Sequence, residues 1–330
     1  MKYFPLTTNT ISDIDKKLAI KVLNSGNITR GKYNKLVEKY FSSKFKRYAL
    51  LVNSGSSANL LALSLLINKQ GKYKLKKNDE IIIPSVCWST SLYPIIQMGL
   101  KPIFVDVDIR TLNLDINELE KKITTKTKAI MLVHALGNST EMSLLNRIIK
   151  KYKLILIEDT CEALGSKYKK KYLGTFGSLS TFSFYFSHHI TSGEGGMILC
   201  KNLDDYKILL ALRAHGWSRE IDLIENKRKK DFNRLFNFIN LGYNLRLTDI
   251  QAALLFNQSK KIDNYRINRL YNYNLLYKVI SGDKFLNQNL ILTPNRIDGQ
   301  ISWFNFPIIL KYLDNKNRDI ICENLTKLGV

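Results

Sequence analysis

Short runs of β-branched and apolar residues alternate with helical spacing through the first 200 residues of the chain. Runs at 80–84, 102–107, 129–134, 154–158, 180–186 and 196–200 predict strands, because each is short, apolar and bounded by turn residues. Apolar positions recur at helical spacing over 57–66, 90–98, 116–122 and 142–151. Strands and helices in alternation predict an α/β architecture: a largely parallel sheet with helices on both faces. Ligands of such sheets bind beyond the carboxyl ends of the strands, which is where the polar motifs of this chain fall. After Cys200 the texture changes to long helical stretches, 203–214 and 248–276, then a strand-like run at 302–310 and a helix at 317–328. The pattern predicts a large domain over 1–254 and a smaller α/β domain over 255–330. Alternation stops at Val330, just after the helix-ending pair Leu328 and Gly329, where a further strand is expected. The smaller domain therefore reads as incomplete.

Composition narrows the class. With 45% hydrophobic and 24% charged residues, 17 glycines and six prolines, the chain is globular rather than fibrous or low in complexity. No run reaches the 18 or so uninterrupted apolar residues of a membrane span, and residues 1–20 contain no signal-peptide core. Both absences predict a cytoplasmic protein. Cys87, Cys161, Cys200 and Cys322 lie far apart and read as reduced thiols rather than disulfides, a zinc site or an iron–sulfur cluster.

The net charge of +23 raises the question of a nucleic-acid partner. The basic residues, however, are spread along the chain, and the short runs Lys74–Lys77, Lys167–Lys171 and Lys227–Lys230 fall in turns or at helix ends. There is no basic tail and no nucleic-acid motif. A solvated lysine surface is the simpler reading, and a phosphate-bearing small substrate suits it too.

Three stretches carry chemistry. Asn53-Ser54-Gly55-Ser56-Ser57-Ala58-Asn59 precedes an apolar helix, and small residues at a helix N-terminus expose N–H groups that suit a phosphate. Alone, the string reads more simply as a plain helix cap by Ser56 or Ser57. The strand at 154–158 ends in Glu158, Asp159 and Glu162. A carboxylate there would bind a metal or hold a proton on a heterocyclic nitrogen; helix capping by Asp159 explains it equally well. The third stretch, 180–196, runs an aromatic strand into His188-His189 and then Gly193-Glu194-Gly195-Gly196. Adjacent strand residues point to opposite faces, which disfavours a shared metal. One histidine facing a cleft as an acid–base group, with the other packed, fits better.

With Trp88, these stretches resemble the DegT/DnrJ/StrS family of pyridoxal-phosphate sugar aminotransferases. The resemblance runs from about residue 27 to residue 276. It also takes in Thr29-Arg30-Gly31, Pro84, Arg213-Ala214-His215-Gly216 and Gly242-Tyr243-Asn244-Leu245-Arg246. It implies a type I aminotransferase fold and a homodimer whose sites use both subunits. It also implies that Gly55, Ser56, Ser57 and Ser183 hold the cofactor phosphate, with Asn244 reaching it from the partner. Trp88 would stack on the ring, Asp159 would pair with the ring nitrogen, and Glu162 would sit near the ring hydroxyl. Arg30 and His215 would contact substrate. Singly, Trp88 also reads as core, Asn244 as a turn residue and Ser183 as a polar strand position.

One departure decides the reaction. The family's aminotransferases carry a lysine five residues after the position of Ser183; here it is His188, and no lysine occurs from 172 to 200. Imidazole forms no stable imine with an aldehyde, so the cofactor would be held non-covalently, as pyridoxal or pyridoxamine phosphate. Ser-His-His-Ile-Thr at 187–191 and Arg-Ala-His-Gly-Trp at 213–217 resemble the family's sugar 3-dehydratase branch. One subtype of that branch, acting on CDP-sugars, has cysteine ligands for an iron–sulfur cluster; residues 217–241 contain no cysteine, and the chain fits the cluster-free, GDP-sugar subtype better. The resemblance thus implies a nucleotide-linked 4-keto-6-deoxy sugar as substrate, glutamate as amino donor and His188 as acid–base catalyst. An aminotransferase using a lysine from elsewhere, and a cofactor-binding protein without catalysis, are the rival readings; a nucleic-acid-binding role ranks last.

Overall fold

The structure, a computed structural model, describes residues 4, 5, 7–224, 236–295, 299–311 and 314–330. The chain begins with two helices, α1 (Asp13–Ser25) and α2 (Lys32–Phe45), before β1 (Tyr48–Val52) and α3 (Gly55–Ile67). Alternation follows through β2 (Glu80–Pro84), α4 (Ser89–Gln97), β3 (Lys101–Val105), α5 (Ile116–Leu119), β4 (Thr127–Val133), α6 (Met142–Tyr152) and β5 (Ile155–Asp159). A small hairpin, β6 (Lys167–Tyr168) and β7 (Lys171–Tyr172), leads to β8 (Leu179–Ser183), β9 (Gly196–Cys200), α7 (Leu203–Arg213) and α8 (Arg219–Ile224).

Seven of these strands form one sheet in the order β1-β9-β8-β5-β4-β2-β3. Four of its neighbouring pairs are parallel; β9 alone runs against both of its neighbours. The largely parallel α/β sheet expected from the sequence is therefore present. Most of its strands read as apolar runs because they are buried on both faces, whereas the edge strand β3 leaves Lys101 and Phe104 exposed. Successive residues feed different cores: Leu50, Met131 and Ile198 join one, while Leu51, Ile130 and Leu199 join others on the opposite side. Helix α3 is apolar all round and lies buried against β8 and β9.

The strands expected at 80–84 and 196–200 fall where predicted, and four others match with shifted ends. The run at 180–186 is strand only to Ser183, after which Phe184 N–H donates to Gly195 O (2.8 Å) and the chain turns. α1, α2 and β1 lie outside the predicted elements. Ile14, Ile20 and Leu23 of α1 face outward, which blurs the periodicity.

The expected helix at 248–276 is two helices, α9 (Asp249–Gln258) and α10 (Ile262–Gly282), separated by the 3₁₀ turn Ser259–Lys261. α9 packs on α1 and α2 and adds Ala252, Ala253 and Leu255 to the core of the large sheet, so the expected boundary at 254/255 falls inside it. Beyond it come α11 (Lys284–Asn289), β10 (Leu290–Leu292), β11 (Gly299–Gln300), β12 (Ile308–Leu310) and α12 (Asn315–Lys327). β10 pairs with β12, and β11 joins the β6–β7 hairpin. A small core forms here around Tyr273 and Trp303, whose rings stack at 3.8 Å and 5°. Of the expected strand 302–310 only β12 is extended in a ladder; residues 302–304 are held by other contacts described below. Lys74, Lys76, Lys77, Lys169, Lys170 and Lys171 are exposed, while Lys227–Lys230 lie outside the described residues. Among the described residues, no helix is long and apolar enough to cross a membrane.

Glu158 is fully buried at the end of β5, yet each carboxylate oxygen is satisfied. Oε1 accepts from the N–H groups of Phe176 (2.7 Å) and Gly177 (2.6 Å), and Oε2 from Gly174 N–H (2.8 Å) and His134 Nε2 (2.9 Å). Replacing Glu158 with Ala should leave three backbone donors without partners, at about 1–3 kcal/mol each. Chemical denaturation should show a loss of at least about 3 kcal/mol, with Glu158→Gln losing less; a loss under about 1 kcal/mol would contradict this role.

Candidate active site

A cavity of about 610 Å³ opens at the carboxyl ends of β5 and β8. Asp159 lies on its floor, only 5% exposed. Its Oδ2 accepts from Asn59 Nδ2 (2.9 Å) and Ser91 Oγ (2.7 Å), and its Oδ1 from Cys161 N–H (3.1 Å). Turns rather than a helix follow Asp159, which removes the helix-cap explanation. Asn59 is itself fixed, with Oδ1 accepting from Thr181 Oγ1 (2.6 Å) and Nδ2 also donating to Thr90 O (3.1 Å). The sequence reading gave Asn59 and Ser91 no role. The available signal was polarity on otherwise apolar helical runs.

The cap of α3 is Ser54, not Ser56 or Ser57: Ser54 Oγ accepts from Ser57 N–H at 3.1 Å. A side chain at 54 reaches N–H groups three residues on, whereas Ser56 and Ser57 already lie within the first turn. Gly55 presses on β8; a Cβ added there would lie 2.7 Å from Ser183 Cβ and 3.1 Å from Cys161 Sγ. The α3 N-terminus therefore meets Ser183 with only backbone between them. Gly55, Ser56 and Ser183 line the cavity, but Ser57 does not, its hydroxyl being engaged with Ser54 (3.0 Å).

Trp88 lines the rim and is 72% exposed, so it is not a core residue. Glu162 is half-buried, and its Oε2 accepts from Leu136 N–H at 2.8 Å. Burial pushes the Glu162 carboxyl above its ordinary range and the Asp159 charge adds to this, while the Leu136 N–H works against it. Leu136 is left-handed, with φ 57°, a conformation disfavoured for a branched side chain and held here by its bonds.

His188 and His189 do diverge, but by a turn rather than by the strand pleat. The ladder has already ended at Ser183, and His188 N–H donates back to Tyr185 O (3.0 Å). His188 lines the cavity, and its Nδ1 is buried without a partner. Burial pulls its pKa down to about 4, against the opposing pull of Asp159 and the Cys161 backbone; Arg269 adds to the lowering. His189 is turned into the interior, where Nε2 meets Ser302 O at 2.8 Å. A carbonyl only accepts, so this nitrogen carries the proton. Burial, with Arg269 next, lowers the His189 pKa to about 3.

The remaining expected residues lie elsewhere on the chain. Asn244, Arg246 and His215 share an exposed face outside the cavity; Arg246 Nε donates to Asn244 Oδ1 (3.1 Å), and Arg246 Nη2 lies 3.3 Å from His215 Nε2. Arg30 lines a second cavity of about 410 Å³. There it closes a ring of ion pairs: Arg30 to Glu38 (3.0 Å) and Glu220 (2.8 Å), and Arg213 to the same two carboxylates (3.0 and 2.8 Å). None of the described residues lining the larger cavity is a lysine.

A model of the DegT/DnrJ/EryC1/StrS aminotransferase family matches residues 9–330. The chain is 39% identical to GDP-4-keto-6-deoxy-D-mannose 3-dehydratase of Escherichia coli O55:H7, over 99% of this chain and 84% of that protein. A histidine-to-asparagine variant of GDP-4-keto-6-deoxymannose-3-dehydratase with bound GDP-perosamine matches at TM-score 0.91 and 38% identity, over 100% of this chain and 84% of that one. The same enzyme with a trapped PLP–glutamate geminal diamine matches at TM-score 0.88 and 38% identity, over 99% and 84%.

Both histidines bind fewer protons when folded than the ordinary histidine pKa of about 6.5 allows in the unfolded chain. Their contribution to stability is therefore complete above about pH 6.5 and declines as pH falls towards about 4 and then 3. Denaturation curves of the cofactor-free protein should show this decline below pH 6.5, and His189→Gln should flatten it. An unaltered slope in that variant would contradict the assignment.

Proposed function

The chain belongs to the DegT/DnrJ/EryC1/StrS aminotransferase family, and from that premise we propose that it is a dehydratase using pyridoxal and pyridoxamine phosphate. Its reaction would remove the C3 hydroxyl of a nucleotide-linked 4-keto-6-deoxy sugar in dideoxysugar biosynthesis. The observation that carries the reading is His188 in the cavity, with no lysine among the described lining residues.

The residues present suit the cofactor. The α3 N-terminus at Gly55 and Ser56, packed directly against Ser183 at the cavity wall, would hold the phosphate. Asp159, fixed by three donors, offers a buried carboxylate to a ring nitrogen, and the flat Trp88 side chain stands at the rim. Glu162 stands near Asp159 with its carboxyl raised toward the protonated form, able to meet the ring hydroxyl. When bound, the cofactor supplies an electron sink that makes its C4′ proton removable. His188, which lines the cavity and is held neutral by burial, takes up that proton and returns it to the departing C3 hydroxyl. His189, bonded to Ser302, lacks access to the cavity and plays no part in proton transfer.

Glutamate is the proposed amino donor and GDP the proposed nucleotide, on the likeness to enzymes crystallised with a PLP–glutamate adduct and with GDP-perosamine. We further propose a homodimer. Asn244, Arg246 and His215 form an exposed polar cluster that lines neither of the two cavities described, as expected of residues completing the partner's site. A nucleotide-activated sugar as substrate supports a cytoplasmic location.

Incubation with glutamate and a panel of nucleotide 4-keto-6-deoxy sugars should release ammonia and a 3,6-dideoxy product identifiable by mass. His188→Asn should lower ammonia release about a hundred- to ten-thousand-fold while cofactor titration stays measurable. Borohydride treatment of the aldehyde-loaded protein should leave no cofactor mass on the chain. Ammonia release retained in His188→Asn, or a covalent adduct on a lysine, would overturn the reading.

A further inference from the structure

Phe304 is the one cavity-lining side chain, among the described residues, contributed from beyond residue 262. Its ring centroid lies 5.1 Å from that of His188 and 5.6 Å from that of His189. The segment bearing it is anchored on several sides. Phe304 N–H donates to Leu136 O (2.9 Å), and Arg269 Nη1 donates to the carbonyls of Trp303 and Phe304 (3.0 Å each). Ser302 N–H donates to Ser166 Oγ (2.8 Å), and Ser302 O receives His189 Nε2. Gly137, at φ +91°, lets the two backbones touch; a Cβ there would lie 2.1 Å from Ser302 O.

His188 lacks such anchoring at Nδ1, which has no partner. Two aromatic rings flank its imidazole: Phe304, tilted at 36°, and Tyr185, edge-on at 6.3 Å and 78°. Of the two, Phe304 lies closer, and unlike Tyr185 it comes from a distant part of the chain, tied to Leu136, Ser166 and Arg269. We infer that Phe304 is a positioning residue for His188, its ring face fixing the imidazole plane toward the cavity and keeping water off it. The effect on rate rests on the acid–base reading of His188; the orientation itself does not.

The groups facing His188 are Asp159, Cys161 and Glu162 at the end of β5, Glu194 before β9, Arg269 on α10, and Tyr185 and His189 on its own turn. Asp159 favours the imidazolium, Arg269 opposes it, and desolvation outweighs both. Removing the Phe304 ring admits water to the imidazolium and leaves these charges in place. The His188 midpoint should then rise from about 4 toward its ordinary value.

The test is an NMR titration of the histidines in the cofactor-free chain, with His188→Asn identifying the His188 signal. In Phe304→Ala the His188 midpoint should rise by about one pH unit or more, while that of His189, still bonded to Ser302, moves far less. Phe304→Tyr should restore the original midpoint. With glutamate and sugar substrate, Phe304→Ala should lower kcat about tenfold or more, with KM within about twofold. Should the alanine variant melt, Phe304→Leu, which keeps bulk without a flat face, takes the same measurement. An unmoved His188 midpoint in a folded variant, or equal shifts of His188 and His189, would overturn the proposal. A moved midpoint with unchanged kcat would support the positioning and instead sink the acid–base reading of His188.

Discussion

A carboxylate in the middle of an apolar sheet must find enough donors or destabilise the fold, and Glu158 meets that requirement with four. Three are backbone N–H groups of the turn at 174–177, which leads into β8; the fourth is His134, which leads from β4 into the loop bearing Leu136. The same carboxylate thereby fixes the approach to Ser183 on one side and the support of Phe304 on the other. Strand alternation then turns the next residue, Asp159, to the opposite face, into the cavity. Two adjacent acids thus divide the labour: one organises the walls and its neighbour occupies the floor.

Burial has opposite consequences for the charged and the neutral groups around this cavity. Asp159 is surrounded by three neutral donors, which satisfy a carboxylate at close range without adding a second charge. The two histidines receive no comparable compensation. Desolvation dominates, and both stay neutral, one free to take a proton and the other committed to Ser302. The apolar wall keeps His188 deprotonated at neutral pH while lowering its basicity.

The exposed polar cluster depends on a separate device. Arg213 is fully buried and shares Glu38 and Glu220 with Arg30, so α2, α7, α8 and the Arg30 loop are tied by alternating charges. The turn after Arg213 presents His215 in a left-handed conformation beside Arg246 and Asn244. Arg30 is thereby spoken for by two carboxylates and acts in this chain as part of the frame around that face. Removing one member of such a buried ring leaves an uncompensated charge, which makes the ring a collective support rather than a set of separate contacts.

Unbroken apolar runs separated by helical spacing were enough to determine the α/β sheet, because strands buried on both faces have little other composition open to them. The acids after the 154–158 run and the histidine pair after the aromatic run stood out as polar positions beyond apolar strands, while the roles of Gly55, Trp88 and Ser183 rested on the family resemblance. The sequence could not assign the cap to Ser54 rather than Ser56 or Ser57, because that depends on where the first helical turn begins. It could not show that the histidines diverge through a turn, because the aromatic run continues past the last ladder bond at Ser183. Nor could it find Asn59 and Ser91 beneath Asp159, or Phe304 against His188, the latter contact joining positions more than a hundred residues apart. Local pattern encodes which face of an element is buried; which distant groups meet there, and whether water is excluded, follows only from the closed packing of the whole chain.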